Sequence, residues 1–489
     1  MFVLASNLIT VPMVVRAIGA EGFGEAVFLL ALSSPLMLVG SVLGQAVAAL
    51  GAGHVGQGDD DGFRELLGGT IRLCLPGVAL LAAALFAILP LAISSVASPA
   101  KTLEAAPFAI AIGGVAARQL GLVLQGVLVA RKNFKMLAKI VGVNAAIEVF
   151  CVLIAIYVVP TVVGYLMALA FGGALSLFVW LLVMRKEIAS SLFIGRNLRP
   201  ERKNFDTKPL AHFAKWQSLS AVVGIFANQA NILTLGLFAH PIAVAHFNIA
   251  ARLEQALSAV CLKFSEVLLP HFGQTRDNPV EKIRRHYLHA SFLISFFGAA
   301  VMGPTIALSS SILNIWLGPE YWKDGALQLR VLVCSGLINF AGSVFSMFGL
   351  GTGRIESTSK IIVHYSLLAA SLTVLLIMLF GASLAGVGLI IAASWSAWMR
   401  VEAAQGFLKG TSRAQIAAVA LGPVMVAIAV GFIGTWVFPT PTSNGLQLVA
   451  RYILASTVIS LSILAVFSLT RSGRYFVFTT LAHFFRLVR

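Results

Sequence analysis

Charge is what this sequence has least of: Asp, Glu, Lys and Arg make up 11% of its 489 residues, against about a quarter in ordinary water-soluble domains. A folded chain so short of charge cannot cover a water-facing surface. Cysteine is scarce too. Cys74, Cys151, Cys261 and Cys334 sit inside apolar stretches at unrelated spacings, which suggests neither a disulfide framework nor a zinc site. They read as small buried hydrophobes. A Walker-type loop, HExxH, GxSxG and a clustered pair of loop acids are all missing, so the usual signatures of enzymes are absent and neither a cofactor nor covalent catalysis is expected. No basic n-region precedes the first apolar run, and no cleavable leader is expected.

What the sequence has in excess is apolar length. Hydrophobic residues make up 58% of the chain and mean hydropathy is +0.92. Runs such as Ile71–Ser94, Met136–Val159 and Val162–Met184 match the roughly 20 residues that carry a helix across a hydrocarbon core about 30 Å thick. Only helices and closed barrels satisfy their backbone groups in lipid, and the period-2 alternation of a barrel is absent. The fold class is therefore an all-α polytopic membrane protein, with about 14 transmembrane helices centred near residues 9, 39, 82, 117, 148, 173, 225, 258, 301, 338, 371, 392, 426 and 460.

The formal charge of +16 would suggest nucleic acid in a soluble protein. Its placement along the chain excludes that partner. With the amino terminus in the cytoplasm, most Lys and Arg fall on one side: Arg64 and Arg72, Arg131–Lys139, Arg185–Lys215, Arg276–Arg285, Arg354 and Lys360, Arg400–Arg413, and Arg471–Arg489. Only Arg16, Lys101, Lys323, Arg330 and Arg451 fall on the other side, and Arg118, Arg252 and Lys263 lie within spans. That bias places both termini in the cytoplasm, with the positive charge facing phospholipid headgroups.

The polar stretch at 185–210 reads as a cytoplasmic linker between an N-terminal lobe at 1–184 and a C-terminal lobe at 211–413. Residues 414–470 form a final helix pair, and 471–489 a basic amphipathic tail suited to a membrane interface. The first span has 15 residues before Arg16, about 22 Å of helix, which is short for the bilayer. The expectation is a start upstream of Met1, or a helix that sits thin with Arg16 snorkelling.

Ionisable groups at bilayer depth cost roughly 2.5–3.5 kcal/mol each on insertion scales, so they normally face a cavity, a partner or a pathway. Arg252, Gln255, Lys263 and Glu266 fall within about 80° of one another at 100° per residue, a stripe about 21 Å long on one helix face. Two readings stand: a stripe turned towards water or a polar ligand, or cations neutralised by Glu266 or a neighbouring helix. Arg118 shares a face with Gln125, and Glu148 lies near mid-depth of the following span. Here the alternatives are an anion-binding Arg118 with Glu148 as a proton or cation site, or an Arg118/Glu148 pair that fixes helix register. Glu266 and Glu148 are the candidate ion-coupling acids, and Glu254 is a further acid within a span. Uncharged stripes run through Ser34, Ser41 and Gln45; Gly224, Asn228 and Asn231; and Ser335, Asn339 and Ser346. They suit a polar lumen or helix–helix contacts. The cations Arg118, Arg252 and Lys263 favour an anionic headgroup, since guanidinium matches phosphate in a bidentate fork.

Four stretches carry a family likeness: Arg16–Gly24 (RAIGAEGFG), Leu43–Ala46 (LGQA), Gln125–Lys135 (QGVLVARKNFK), and Ile315–Tyr321 (IWLGPEY) followed by Leu329–Leu332. In their order and spacing the chain resembles the Wzx-type polysaccharide transporters, the oligosaccharide flippases of the MOP superfamily. The resemblance implies a MOP-like arrangement of two six-helix lobes plus a C-terminal pair, alternating access around a central cavity, and an undecaprenyl-pyrophosphate-linked oligosaccharide as substrate. It further implies proton or sodium coupling and a polysaccharide polymerase as partner. Faint similarity between Gly19–Ala26 and His240–Phe247 agrees with repeated lobes. One departure stands out: many relatives carry Asp-Arg where this chain has Asn231 and Ile232. Alternatives are a MATE-type cation-coupled drug exporter, a MurJ-type lipid II flippase, or, from another class, a membrane polymerase or ligase using outer-loop acids such as Glu320 and Asp324.

Overall fold

The computed structural model of the chain describes residues 2–96, 105–194, 208–266, 280–352, 355–408 and 410–469, with residues 268, 272, 473, 476, 477 and 480. Among these, all regular structure is helical. The helices are α1 (Phe2–Ser33), α2 (Met37–Gly56), α3 (Asp60–Val96), α4 (Ala105–Ala130), α5 (Phe134–Val158), α6 (Val162–Ile194), α7 (Lys208–Phe238) and α8 (Pro241–Glu266). They continue with α9 (Val280–Trp316), α10 (Trp322–Ala341), α11 (Ser343–Gly351), α12 (Ile355–Phe380), α13 (Val387–Phe407), α14 (Arg413–Val437) and α15 (Gly445–Ser468). Every expected span centre falls on a helix. By length and composition alone, ten stretches of the described residues are able to cross a membrane.

Helices α7, α8 and α13 are not among the ten. Within α7 the segment Val222–Phe238 is apolar, while α8 carries Arg252, Glu254, Lys263 and Glu266, and α13 carries Arg400 and Glu402. Of the expected linker, residues 185–194 continue α6 and residues 195–207 lie outside the described residues. Contacts divide the chain into two compact units: residues 1–248 with 377–382, and residues 249–376 with 383–489.

In the first unit α1 breaks at Gly19, whose φ of 77° lies in the left-handed region open to glycine. Helices α2 and α4 pack backbone to backbone. A Cβ at Gly44 would meet Leu122 O at 2.5 Å, and one at Gly126 would collide with Gly44 O, so the small residues set the approach. Across the same contact Gly40 N donates to Gln119 Oε1 (3.3 Å). Beside it Phe63, Leu67 and Ile71 of α3 pack with Val123, Leu124 and Val127 of α4 and Trp180 and Met184 of α6. Phe150, Phe171 and Phe178 remain exposed on α5 and α6, as befits helices solvated by lipid rather than water. The loop after α4 is pinned. Arg131 donates to both carboxylate oxygens of Glu187 (2.7 and 3.0 Å) and lies over the Phe63 ring at 5.1 Å. Lys132 turns the chain at φ 53°, and Asn133 Oδ1 caps α5 by accepting from Met136 N.

The second unit is organised on α9, which packs against α10, α14 and α15. Tyr452 OH donates to Val301 O and Ser456 Oγ to Ala300 O, so α15 is tied to the α9 backbone. Arg330, expected in an outer loop, instead lies on α10 and donates to Ser309 Oγ (2.7 Å) and Ser310 Oγ (3.2 Å) of α9. The turn between α9 and α10 uses Gly318 at φ 110°. Of the expected tail, Phe476 stacks on His289 of α9 at 4.8 Å, and buried Thr480 hydrogen-bonds His289 Nδ1.

Candidate functional site

Three helices of the first unit line a half-open, mostly apolar pocket of about 230 Å³ into which a few polar side chains project. Turn-by-turn spacing brings its lining together: Arg118, Gly121, Leu122 and Gln125 from α4, Asn144, Ala145 and Glu148 from α5, and Ser176, Leu177 and Trp180 from α6. Arg118 and Glu148 meet at 3.2 Å, their side chains 39% and 32% exposed. The same guanidinium donates to Leu169 O (3.2 Å). Of the two readings open for this pair, the structure has the ion pair, so Arg118 does not present an uncompensated cation. Trp180 closes one wall, with Cδ1 3.0 Å from where a Cβ on Gly121 would stand. Asn144 Oδ1 is sealed from solvent and has no hydrogen-bond partner. Sequence reasoning missed Asn144, Ser176 and Trp180; for Asn144 the face it shares with Glu148 one turn along α5 was the available signal, and for the two α6 residues there was none.

The α8 stripe splits on inspection. Lys263 Nζ bonds both Glu266 oxygens at 2.8 Å, and the two side chains are 61% and 49% exposed. Lys263 is therefore neutralised by Glu266 within its own helix. Gln255 is exposed and Arg252 half-buried. Of the other lumen candidates, Asn228 is exposed, while Asn231 is 3% exposed with Oδ1 unpaired, and Gln45 Oε1 is likewise sealed and unpaired. Arg118 belongs to the first unit, and Arg252 and Lys263 to the second.

A second polar cluster lies wholly within the second unit. Arg400, expected in a cytoplasmic loop, sits well inside α13 and donates through Nη1 to Asn339 O (3.0 Å) and Oδ1 (3.3 Å) of α10. The helix continues past the end of its apolar run, and the guanidinium finds acceptors on a neighbouring helix. Tyr365 of α12 is within hydrogen-bonding reach of Asn339 and Ser335 and feels the charges of Glu254 and Arg400, and Tyr287 of α9 feels the charge of Arg400. Glu254 accepts from Ser258 Oγ one turn along α8, and its carboxylate occupies the space a Cβ on Gly336 would fill. Among the described residues Glu254 makes no ion pair, unlike Glu148 and Glu266. Three or more His, Cys, Asp or Glu side chains suited to a metal do not cluster among the described residues.

Residues 80–325, just over half the chain, match the family described as polysaccharide biosynthesis protein. No curated protein matches the chain. Among solved structures, similarity extends to an inward-facing multidrug resistance MATE family transporter of the MOP superfamily (TM-score 0.64, 18% identity, 86% of this chain and 95% of that one). The lipid II flippase MurJ in an inward closed conformation is also similar (TM-score 0.66, 15% identity, 95% of this chain and 97% of that one), as is the MATE multidrug transporter DinF-BH (TM-score 0.62, 14% identity, 83% and 93%). At such identities the likeness is one of fold.

Proposed function

The chain belongs to the polysaccharide biosynthesis protein family, and from that membership we propose that it is a flippase. It moves an undecaprenyl-pyrophosphate-linked oligosaccharide from the cytoplasmic to the periplasmic leaflet by alternating access, for exopolysaccharide, capsule or O-antigen biosynthesis. The observation that carries this reading is the family match over residues 80–325 in a chain with the MOP transporter fold. A protein of polysaccharide biosynthesis built in this way handles the polymer's precursor by moving it, and we assign it no covalent step. In this reading about 14 helices cross the inner membrane as two six-helix lobes and a final pair, with both termini cytoplasmic and a polymerase downstream. The half-buried Arg252 on α8 is assigned to the pyrophosphate, whose oxygens suit a guanidinium fork. Proton or sodium coupling is assigned to Glu254, because Glu148 and Glu266 are engaged with basic side chains.

Deleting the chain is expected to abolish surface polysaccharide and leave drug accumulation and viability unchanged. Arg252→Ala is expected to lower surface polysaccharide at unchanged protein level. Drug accumulation on deletion would instead support an exporter, and lethality a lipid II flippase. Altered glycan length in isolated membranes, lost on mutating Glu320 or Asp324, would support a polymerase or ligase.

A further inference from the structure

We propose that α5 and α6, at the ends that the charge bias assigns to the cytoplasm, form a binding site for a bilayer phospholipid with two phosphates, of the cardiolipin kind. The site is separate from the transported substrate and holds whatever that substrate is. Lys135 and Lys139 lie one turn apart on α5, Arg185 and Lys186 are consecutive on α6, and all four are exposed. The two pairs are neighbours, because Met136, Leu137 and Ile140 of α5 pack in one apolar cluster with Met184 and Ile188 of α6. Among the described residues none of the four makes an ion pair. Glu187, the acid next to them on α6, is already taken by Arg131, which holds both its oxygens.

This cluster is more than a general excess of cations on one side of the membrane. Helix α3 starts on the same side, and its first turn carries Asp60 and Asp61, as the positive end of a helix dipole prefers. The first turn of α5 has no acid and carries Lys135, with Lys132 just before it. Lysines beside a positive helix end repel it, and an external anion offsets that repulsion. The rest of the two helices indicates what brings the anion. On α5 the exposed face runs from Lys139 through Val143 to Phe150, and on α6 from Arg185 through Leu182 and Phe178 to Phe171, each at the spacing of one helix face. Two adjacent stripes thus pass from charge to several turns of apolar surface. A soluble acidic peptide or free phosphate would meet the cations and leave the apolar stripes bare. A phospholipid covers both, with its chains along the stripes and one phosphate at each cation pair.

The test uses the full-length protein in neutral detergent, titrated separately with cardiolipin, phosphatidylglycerol and phosphatidylcholine while native mass spectrometry counts bound lipid. Cardiolipin is expected to bind at least about tenfold more tightly than phosphatidylcholine. Lys135→Gln/Lys139→Gln and Arg185→Gln/Lys186→Gln should each weaken it at least about tenfold, on the scale of roughly fivefold for each cation that faces an anionic headgroup. Arg64→Gln/Arg72→Gln, which removes two cations from the same side at α3, should leave binding unchanged. Photoreactive cardiolipin should label wild-type peptides that contain residues 135–139 and 185–186, a reading of the site that needs no substitution. Equal binding of cardiolipin and phosphatidylcholine, or an equal loss in the α3 variant, overturns the proposal. So does phosphatidylglycerol binding as tightly as cardiolipin, since one phosphate would then suffice. Displacement of cardiolipin by equimolar undecaprenyl pyrophosphate makes this a cargo site, and displacement by a poly-glutamate peptide makes it a protein surface; either result contradicts a phospholipid site.

Discussion

The two units hold a cation between helices in different ways. In the first, Arg118 meets a carboxylate across helices. In the second, Arg400 meets the carbonyl and side-chain amide of Asn339, while the acid Glu254 accepts from a serine hydroxyl. An ion pair makes each partner depend on the other, since removing one strands a charge. A guanidinium held by neutral acceptors keeps its charge, and an acid held by a hydroxyl stays available to a proton or a sodium ion. The first unit thus compensates its cation with a carboxylate, and the second with neutral acceptors.

The comparison breaks most visibly at Arg400. Arg400→Met removes two charge-assisted bonds between α10 and α13 and is expected to cost about 2–3 kcal/mol, read from thermal unfolding in detergent. Arg400→Lys, which lacks the fork, should recover only part of that loss. An intermediate effect is expected in the first unit: Glu148→Leu costs about 1–2 kcal/mol, discounted because the pair is partly exposed. Adding Arg118→Met should give back part of the loss, a coupling of about 0.5–2 kcal/mol in a double-mutant cycle. The matching cycle in the second unit, Arg400→Met with Glu254→Leu, should be additive to within about 0.5 kcal/mol. Equal couplings in both cycles would erase the contrast drawn here. The smallest effect is expected at Lys263 and Glu266, an exposed pair within one helix turn: Lys263→Met should change stability by no more than about 0.5 kcal/mol and leave export at the wild-type level.

Much of the architecture was legible in the sequence because apolar length and charge placement are imposed by the bilayer itself. The four family stretches proved to be backbone devices. They hold the break at Gly19, the crossing at Gly44, the pinned turn at Arg131–Asn133 and the turn at Gly318. Such features need particular residue types at fixed places and so leave a readable pattern. The polar clusters do not. Arg400 looked like a flank because an apolar run stops where a guanidinium begins, whether or not the helix continues, and only its acceptors on α10 show that it is held between helices. Lys263 and Glu266 share a face with Arg252, yet a shared face does not tell whether side chains reach outward or to each other. Trp180 and Asn144 reach the Arg118 cavity from two other helices, and that convergence is a property of packing which periodicity along one helix does not carry.

A flippase of this kind carries a glycan-bearing lipid from one leaflet to the other. Purified protein in liposomes loaded on one leaflet with the native lipid-linked oligosaccharide measures this transfer directly, by the fraction of glycan that becomes accessible to an enzyme on the opposite side. Wild-type protein is expected to move the glycan and Arg252→Ala to slow that movement. A leaflet distribution identical with and without the protein, under both a proton and a sodium gradient, would contradict the account.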